Sequence, residues 1–235
     1  MISLIKKITI LFFDRFSSFM KSLKLLINGT HLKSIGSLDL QGDLQVGMNV
    51  QIGKQVTFQG IVKLSDGVII FDNCLLKDCV VGTNTEIRSS SIIEDSIVSS
   101  DSFIGPFARL RSNTLLGQEA QIGNFVEIKN SSIGDKCRIN HMAFIGDASI
   151  GSNVTIGAGT ITCNHDGAEI NKTTIEDGAY IGSNVNLVAP ITIYSNATIG
   201  SGSTITQDAP EEKLTLARVK QSTIENWKGP KSTRR

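Results

Sequence analysis

The chain has 235 residues, enough for one sizeable domain, and its 23 Lys and Arg nearly balance its 22 Asp and Glu. A net charge of +1, with no basic run among aromatic residues, lacks the electrostatic signature of a nucleic-acid-binding protein. The 22 glycines, 4 prolines and 6% aromatic residues favour short strands joined by tight turns over a helical bundle.

Residues 1–35 form a helical segment in the predicted domain organisation. Apolar residues recur there at steps of three and four, with a basic complement that includes Lys6 and Lys7, which predicts an amphipathic helix over residues 1–27. Only residues 8–13 form an uncharged apolar run, far shorter than a transmembrane span. Two interpretations stay open: the helix lies on an anionic membrane surface, or it caps the first turn of the next domain or packs on a neighbouring subunit.

Residues 36–210 carry a repeat of six residues, with occasional steps of five. The regular aliphatic positions are Ile104, Leu110, Leu116, Ile122, Ile128, Ile133, Ile139, Ile145, Ile150, Ile156, Ile175, Ile181, Leu187, Ile193, Ile199 and Ile205. A looser upstream run consists of Val46, Ile52, Phe58, Leu64 and Ile70. A helix would show intervals of three and four, and a half-buried strand an interval of two, so this repeat is neither.

An interval of six places one inward side chain on each short strand, with a turn before the next. Three such strands close a triangular coil of three hexapeptides, and coils stack about 4.8 Å apart. The predicted fold is therefore an all-β parallel β-helix of about nine coils around one apolar column. Glycines that follow the aliphatic residue are expected to supply the conformational freedom of tight corners. They are Gly105, Gly117, Gly123, Gly146, Gly157, Gly182 and Gly200.

The repeat is interrupted once and then ends. The interval from Ile161 to Ile175 is two residues longer than two complete repeats, so residues 162–172 are predicted to leave the wall as a loop. Loops on a rigid scaffold are common positions for functional sites. Residues 211–235 follow the last repeat and are predicted to be a C-terminal tail.

Arg111 and Lys129 are separated by one full coil of three hexapeptides, so they are predicted to stack on one wall. Two cations about 5 Å apart repel each other, and an anion such as phosphate between them would relieve the repulsion. The alternative is two solvated charges that diverge into water. His141, two strands after Lys129, is either a structural histidine or a general base for an attacking amine or hydroxyl, with Glu127 as a possible orienting group.

Several segments are specific rather than generic repeats. They are Gly105-Pro106-Phe107-Ala108-Arg109-Leu110-Arg111, Ile122-Gly123-Asn124-Phe125-Val126-Glu127-Ile128-Lys129, Asn140-His141, Ile145-Gly146-Asp147-Ala148, Ile156-Gly157-Ala158-Gly159-Thr160-Ile161-Thr162-Cys163-Asn164 and Leu187-Val188-Ala189-Pro190. From about residue 100 to residue 227, the chain closely resembles the acetyltransferase half of the bifunctional bacterial glucosamine-1-phosphate N-acetyltransferase / N-acetylglucosamine-1-phosphate uridylyltransferase. The resemblance implies left-handed coiling of the β-helix and a homotrimer with active sites between subunits.

The resemblance also implies roles for individual residues. His141 matches the general base, Arg111 and Lys129 match ligands of the sugar phosphate, and Asn164 matches a contact to the sugar. The acetyl-CoA site is matched by Ser183, Ser201 and Arg218, although position 201 is usually a small Ala in the family. Acetyl transfer of this kind uses acetyl-CoA as the acyl donor and requires no metal.

The chain departs from the family pattern around the acceptor. Phe144 stands where the family has a phosphate-contacting Tyr, Thr155 where it has an Asn near the sugar, and His165 where it has the Tyr of an Asn-Tyr-Asp-Gly loop. A family Lys is Ile170 here, although Lys172 is two residues away. These changes suggest that the chemistry is retained and the acceptor has changed. The nucleotidyltransferase domain of the family has no counterpart in the chain, so uridylyl transfer is not expected.

The predicted function is acetyl transfer to an amino sugar or sugar phosphate resembling glucosamine 1-phosphate, in cell-envelope precursor synthesis. One alternative is O-acetylation of a different lipopolysaccharide or capsule sugar, and another is a non-catalytic trimeric scaffold. A β-helical carbonic anhydrase needs three histidine ligands on one zinc ion. The chain has three histidines, but His31 lies outside the regular coils, so too few remain for this function. The protein is expected in the cytoplasm, either free or at the inner face of the membrane through residues 1–27.

The four cysteines form no C-x-x-C pair and are expected to be buried thiols.

Overall fold

A computed structural model of the chain describes residues 20, 25–26, 29–34 and 37–226. In these residues the short strands wind into the predicted left-handed parallel β-helix of hexapeptide repeats. The amphipathic helix predicted over residues 1–27 lies almost wholly outside the described residues. Within that range the structure describes residues 20 and 25–26, and these are helical. Residues 227–235 of the predicted tail also lie outside them.

The described strands form three faces of a prism. Face 1 is a parallel sheet that contains, in order, β1 (His31–Leu32), β3 (Gln51–Ile52), β5 (Ile69–Ile70), β7 (Glu86–Ile87), β10 (Phe103–Ile104), β13 (Gln121–Asn124), β16 (Arg138–His141), β19 (Thr155–Ile156), β22 (Tyr180–Ile181), β25 (Thr198–Ile199) and β27 (Leu214–Thr215). Face 2 contains β8 (Ile92–Glu94), β11 (Arg109–Arg111), β14 (Glu127–Lys129), β17 (Phe144–Gly146), β20 (Ile161–Cys163), β23 (Asn186–Val188) and β26 (Thr204–Ile205). Face 3 contains β9 (Ser96–Val98), β12 (Thr114–Leu116), β15 (Ser132–Ile133), β18 (Ala148–Ile150), β21 (Thr173–Ile175) and β24 (Ile191–Ile193).

Three longer strands run round the corner between faces 2 and 3. They are β2 (Asp39–Val46), β4 (Thr57–Leu64) and β6 (Leu75–Val81). The β-helix is longer than the repeat predicted. Its first rung, β1, already lies within the predicted helical segment, and its last described rung, β27, lies beyond residue 210.

One apolar column fills the prism. All sixteen regular aliphatic positions are at most 4% exposed, and burying each such side chain contributes roughly 1.5–3 kcal/mol. A second inward position lies two residues earlier and holds a small side chain, such as Ala108 or Ala120. On β20 the inward residue is Thr162, whereas Ile161 is 42% exposed, because the position six after Ile156 is 162.

The glycines that follow the aliphatic residues have a different role from the predicted one. Of the seven, only Gly105 has a positive φ, at 94°. A Cβ atom on Gly117 would lie 2.6 Å from the carbonyl carbon of Gly134 and 2.7 Å from the backbone nitrogen of Asp135, in the next coil. These glycines are therefore needed for close approach between coils. The expectation of conformational freedom was wrong for all of them except Gly105.

The predicted loop leaves the wall slightly later than expected. Residues 162 and 163 stay in β20, and His165 and Ile170 then form an antiparallel bridge at the base of a short excursion. Asp166 organises the excursion: its Oδ1 accepts hydrogen bonds from the backbone nitrogens of Glu169 (2.8 Å) and Ala168 (2.9 Å). These backbone hydrogen bonds lower the pKa of the Asp166 carboxyl.

The four cysteines are free, and three of them are buried. Burial raises the pKa of the Cys74 and Cys137 thiols to about 11 and that of Cys79 to about 12. Cys163 lies on face 2 with intermediate exposure, and partial burial raises its pKa as well. The prediction of buried thiols is therefore confirmed for Cys74, Cys79 and Cys137 and was wrong for Cys163, which is only partly buried.

Candidate active site

Face 2 brings the two predicted cations into register. Arg111 on β11 pairs with Lys129 on β14, one above the other, as their one-coil spacing predicted. Each cation also has a carboxylate partner: Arg111 Nε lies 2.6 Å from Glu127 Oε1, and Lys129 Nζ lies 3.5 Å from Asp147 Oδ2. The four groups sum to zero charge, so the repulsion that predicted an anion is already relieved within the chain.

The contact to Arg111 corrects the interpretation of Glu127. That carboxylate was one possible orienting group for the imidazole of His141, but within the chain it is bound to the Arg111 guanidinium. The imidazole instead contacts Asn124, with His141 Nδ1 3.0 Å from Asn124 Oδ1. This contact is compatible with the tautomer that carries the proton on Nδ1 and leaves the Nε2 lone pair free, because an amide oxygen only accepts hydrogen bonds.

Asn124 was not singled out from the sequence. It lies on β13 directly beside His141, on β16, in the register of face 1. Asn124 precedes His141 by one residue less than three hexapeptides, so a coil with one five-residue step would have brought the two together. His141 itself is exposed at the end of its strand, next to the corner that leads to face 2.

Asp147 is the second residue that the sequence analysis missed. Its side chain is buried, at 8% exposed, and accepts hydrogen bonds from Asn130 Nδ2 and Asn164 Nδ2, both at 2.5 Å. Burial raises the pKa of this carboxyl, but the two amides and the Lys129 ammonium outweigh it, so the pKa is lowered overall. Counting three hexapeptides on from Lys129 would have marked Asp147, although the five-residue step leaves Gly146 in register with Lys129 and puts Asp147 at the next corner.

Phe144 and Asn164 meet over a glycine on face 2. A Cβ atom on Gly146 would lie 2.8 Å from Cε1 and Cζ of the Phe144 ring and 2.9 Å from Asn164 Nδ2. Phe144 is in register with Glu127 on one side and Ile161 on the other. The predicted residues Arg111, Lys129, Phe144 and Asn164 therefore share one wall.

Two other predicted acceptor residues lie apart from that wall within the chain. His165 is in the excursion, where its Nδ1 accepts a hydrogen bond from the backbone nitrogen of Gly167 at 3.1 Å. Thr155 is on face 1, in register with Arg138 and Tyr180, and lines a groove of about 740 Å³ on that face.

A groove of about 440 Å³ lies between face 3 and the returning segment of the excursion, residues 170–172. Asp147 and Asn130 line it on one side, and Ile170, Asn171 and Lys172 line it on the other. Lys172, the lysine two residues from the position of the family Lys, therefore reaches the same part of the surface as the Asp147 cluster.

The three residues predicted for the acyl donor come together at one corner of the prism. The backbone nitrogen of Ser183 donates to Ser201 Oγ at 3.1 Å, and Arg218 Nη1 donates to the carbonyl oxygen of Ser201 at 3.0 Å. Arg218 is exposed and lies just beyond β27. The residues form one small polar cluster.

Within residues 20, 25–26, 29–34 and 37–226, no group of three or more His, Cys, Asp and Glu side chains is placed to hold a metal ion. In the same ranges, no helix is both long enough and apolar enough to cross a membrane.

Comparisons with known proteins agree with this geometry. Residues 40–133 match the family model of the GMPPB C-terminal domain, and residues 172–207 match that of the bacterial transferase hexapeptide (six repeats). The bifunctional protein GlmU of Methylococcus capsulatus is 46% identical over 212 residues, which cover 90% of this chain and 46% of that protein. The chain is a GlmU-like region of hexapeptide repeats.

A second GlmU, from Janthinobacterium sp., is 44% identical over 206 residues, 88% of this chain and 46% of that protein. The chain thus spans about half the length of the curated relatives it matches. Among solved structures, UDP-N-acetylglucosamine acyltransferase of Francisella novicida superposes with a TM-score of 0.61 and 21% identity, over 66% of this chain and 63% of that chain. This solved structure has the same fold as the chain. The GlmU relatives confirm the resemblance that the sequence motifs indicated.

Proposed function

We propose that the chain is an acetyl-CoA-dependent acetyltransferase whose acceptor is an amino sugar or sugar phosphate resembling glucosamine 1-phosphate. Its place would be cell-envelope precursor synthesis in the cytoplasm. The observation that carries this proposal is the 46% identity to GlmU over 90% of the chain. The match of residues 172–207 to a transferase hexapeptide model supports the same class of reaction.

The proposed reaction is direct transfer in a ternary complex. His141 Nε2 removes a proton from the acceptor amine or hydroxyl, which attacks the thioester carbonyl of acetyl-CoA. The tetrahedral intermediate collapses, the C–S bond breaks, and the imidazolium returns its proton to the CoA thiolate. The contact between Nδ1 and Asn124 supports this role because it is compatible with the tautomer whose Nε2 can accept a proton.

We assign the acyl donor to the corner formed by Ser183, Ser201 and Arg218. An exposed guanidinium beside two serines suits the phosphates and the amides of CoA. In the proposed homotrimer the active sites lie between subunits, where donor and acceptor residues of different chains would meet.

Arg111, Lys129, Phe144 and Asn164 are the proposed acceptor residues of one chain, with His165 and Thr155 contributed by loops or by a neighbouring subunit. A second candidate is O-acetylation of an uncharged sugar. It is favoured by the charge balance on face 2, where an anionic acceptor would compete with Glu127 and Asp147 for the two cations. Phe144, which offers an apolar ring and no hydroxyl, is compatible with this candidate.

The proposal is tested by following thiol release from acetyl-CoA across a panel of amino sugars, sugar phosphates and nucleotide sugars. His141→Ala is expected to lower turnover by about 10²-fold or more, and His31→Ala serves as a matched histidine control that leaves turnover unchanged. Near-wild-type turnover in His141→Ala would remove the imidazole from the mechanism. Absence of both thiol release and acetyl-CoA binding by calorimetry would instead identify a non-catalytic scaffold.

A further inference from the structure

Asp147 connects three polar side chains on the proposed acceptor wall. Its carboxylate accepts from Asn130 on one oxygen, and from Asn164 and Lys129 on the other, at 2.5, 2.5 and 3.5 Å. It lies at the corner between β17 and β18 with φ of 51°, a conformation uncommon for residues other than Gly, Asn and Asp. A buried carboxylate with this many donors is held in one orientation.

The chemistry of a carboxylate determines how the Asn164 amide is turned. An ionised carboxylate can only accept hydrogen bonds, so Asn164 must present Nδ2 to Asp147. Its carbonyl oxygen, on the other side of the planar amide, then faces away from Asp147. An oxygen in that position accepts a hydrogen bond from a hydroxyl or amine and repels a phosphate oxygen.

The surroundings of Asn164 make this orientation part of the pocket. The amide lies over Gly146 beside the Phe144 ring, where no Cβ intervenes. The backbone carbonyl of Asn164 accepts from Asn171 at 2.7 Å, which attaches the start of the excursion to its end. The amide therefore stands between the face 2 wall and the loop, at the place proposed for the acceptor.

We propose that Asp147 is a positioning residue that turns the Asn164 amide so that its carbonyl oxygen accepts a hydrogen bond from a hydroxyl or amine of the acceptor. The inference rests on the proposed function and adds a specificity rule: Asn164 selects a donor group and does not bind an anion. The acceptor anion, if there is one, belongs to Arg111 and Lys129.

Steady-state kinetics separate this role from a structural one. Asp147→Asn removes the charge at constant shape, and we expect the KM for the acceptor to rise about 2- to 12-fold, the range for one lost hydrogen bond between neutral groups, with the KM for acetyl-CoA unchanged. Asp135→Asn is the matched control, since that corner carboxylate accepts from the Gln118 backbone nitrogen, at 2.8 Å, on a different part of the surface. Equal effects of the two variants on both KM values would overturn the proposal.

A double-mutant cycle tests whether Asp147 acts through Asn164. The double variant Asp147→Asn/Asn164→Ala is expected to have the same acceptor KM as Asn164→Ala, within about twofold, because the amide is already gone. Multiplicative effects of the two substitutions would show that Asp147 acts by another route and would refute the inference.

Nuclear magnetic resonance provides a readout that does not depend on activity or on the folding of a variant. In the wild-type protein, the Nδ2 protons of Asn164 should exchange with solvent at least tenfold more slowly than those of the exposed Asn226. Fast exchange would overturn the orientation of the amide. If no acceptor supports thiol release, the proposed function fails, and the exchange rate alone decides whether Asp147 holds Asn164.

Discussion

Substituting Gly117 by Ala tests why glycine follows the inward aliphatic residues. The added methyl group would lie 2.6–2.7 Å from backbone atoms of the next coil, and backbone cannot move aside as a side chain can. Overpacking of this kind costs about 1–3 kcal/mol, and we expect the upper end of that range. With about 2–4 °C of melting temperature per kcal/mol for a chain of this size, the expected decrease is roughly 5–10 °C.

The matched control is Gly202→Ala. Gly202 has φ of 74° and no atom within 4 Å of a built Cβ, so alanine there would be strained but not crowded. Left-handed strain of about 1–2 kcal/mol is partly offset by about 0.4–1 kcal/mol from the less flexible unfolded chain. Circular dichroism or calorimetry should therefore rank Gly117→Ala as the more destabilising change. A Gly117→Ala variant no less stable than the wild-type protein would contradict close approach between coils as the reason for these glycines.

Three other predictions follow from charges and thiols. Glu127→Gln should change the free energy of unfolding by less than about 1 kcal/mol, because the ion pair with Arg111 is about one-third exposed. The same substitution should tighten the binding of inorganic phosphate, because it removes a negative charge beside the two cations. An unchanged affinity by calorimetry would contradict the charge balance on face 2. In folded protein at pH 7, a thiol reagent should modify Cys163 before the three buried cysteines, whose pKa is raised by burial, and mass spectrometry showing equal labelling would argue against their burial. Because the pKa of Asp147 is lowered in the fold, its contribution to stability is present above about pH 4 and is lost as pH falls further. Asp147→Asn should flatten the acid limb of stability against pH, and an identical limb would contradict this.

The fold could be predicted from the sequence because one spacing encodes it. A period of six fixes which side chains point inward, and the sixteen regular aliphatic positions are all buried. The spacing does not encode how closely adjacent coils approach, so the reason for Gly117 was misjudged. The spacing does mark Thr162, six residues after Ile156, but its polar side chain led to the neighbouring Ile161 being taken as the end of the regular run.

The candidate site was predicted in part, since stacking follows from the spacing but side-chain pairing does not. Arg111 and Lys129 are in register as expected, whereas their carboxylate partners were not foreseen, because Glu127 reaches its partner diagonally across two coils. Asp147 lies three hexapeptides after Lys129 in sequence, but it occupies the corner that follows the in-register Gly146, so its contact with Lys129 does not follow from stacking. The contact between Asn124 and His141 could be predicted only by placing the five-residue step in the coil between them.

The three-sided winding also determines which changes in length the chain can absorb. Inserting one whole coil would lengthen the prism by about 4.8 Å and return every later side chain to its own face. Inserting a single hexapeptide between Arg111 and Lys129 would advance everything downstream by one face and carry Lys129 and Asn164 away from Arg111. Length variants of this fold are therefore expected to keep the candidate site residues on one face only when they differ by complete coils of the β-helix.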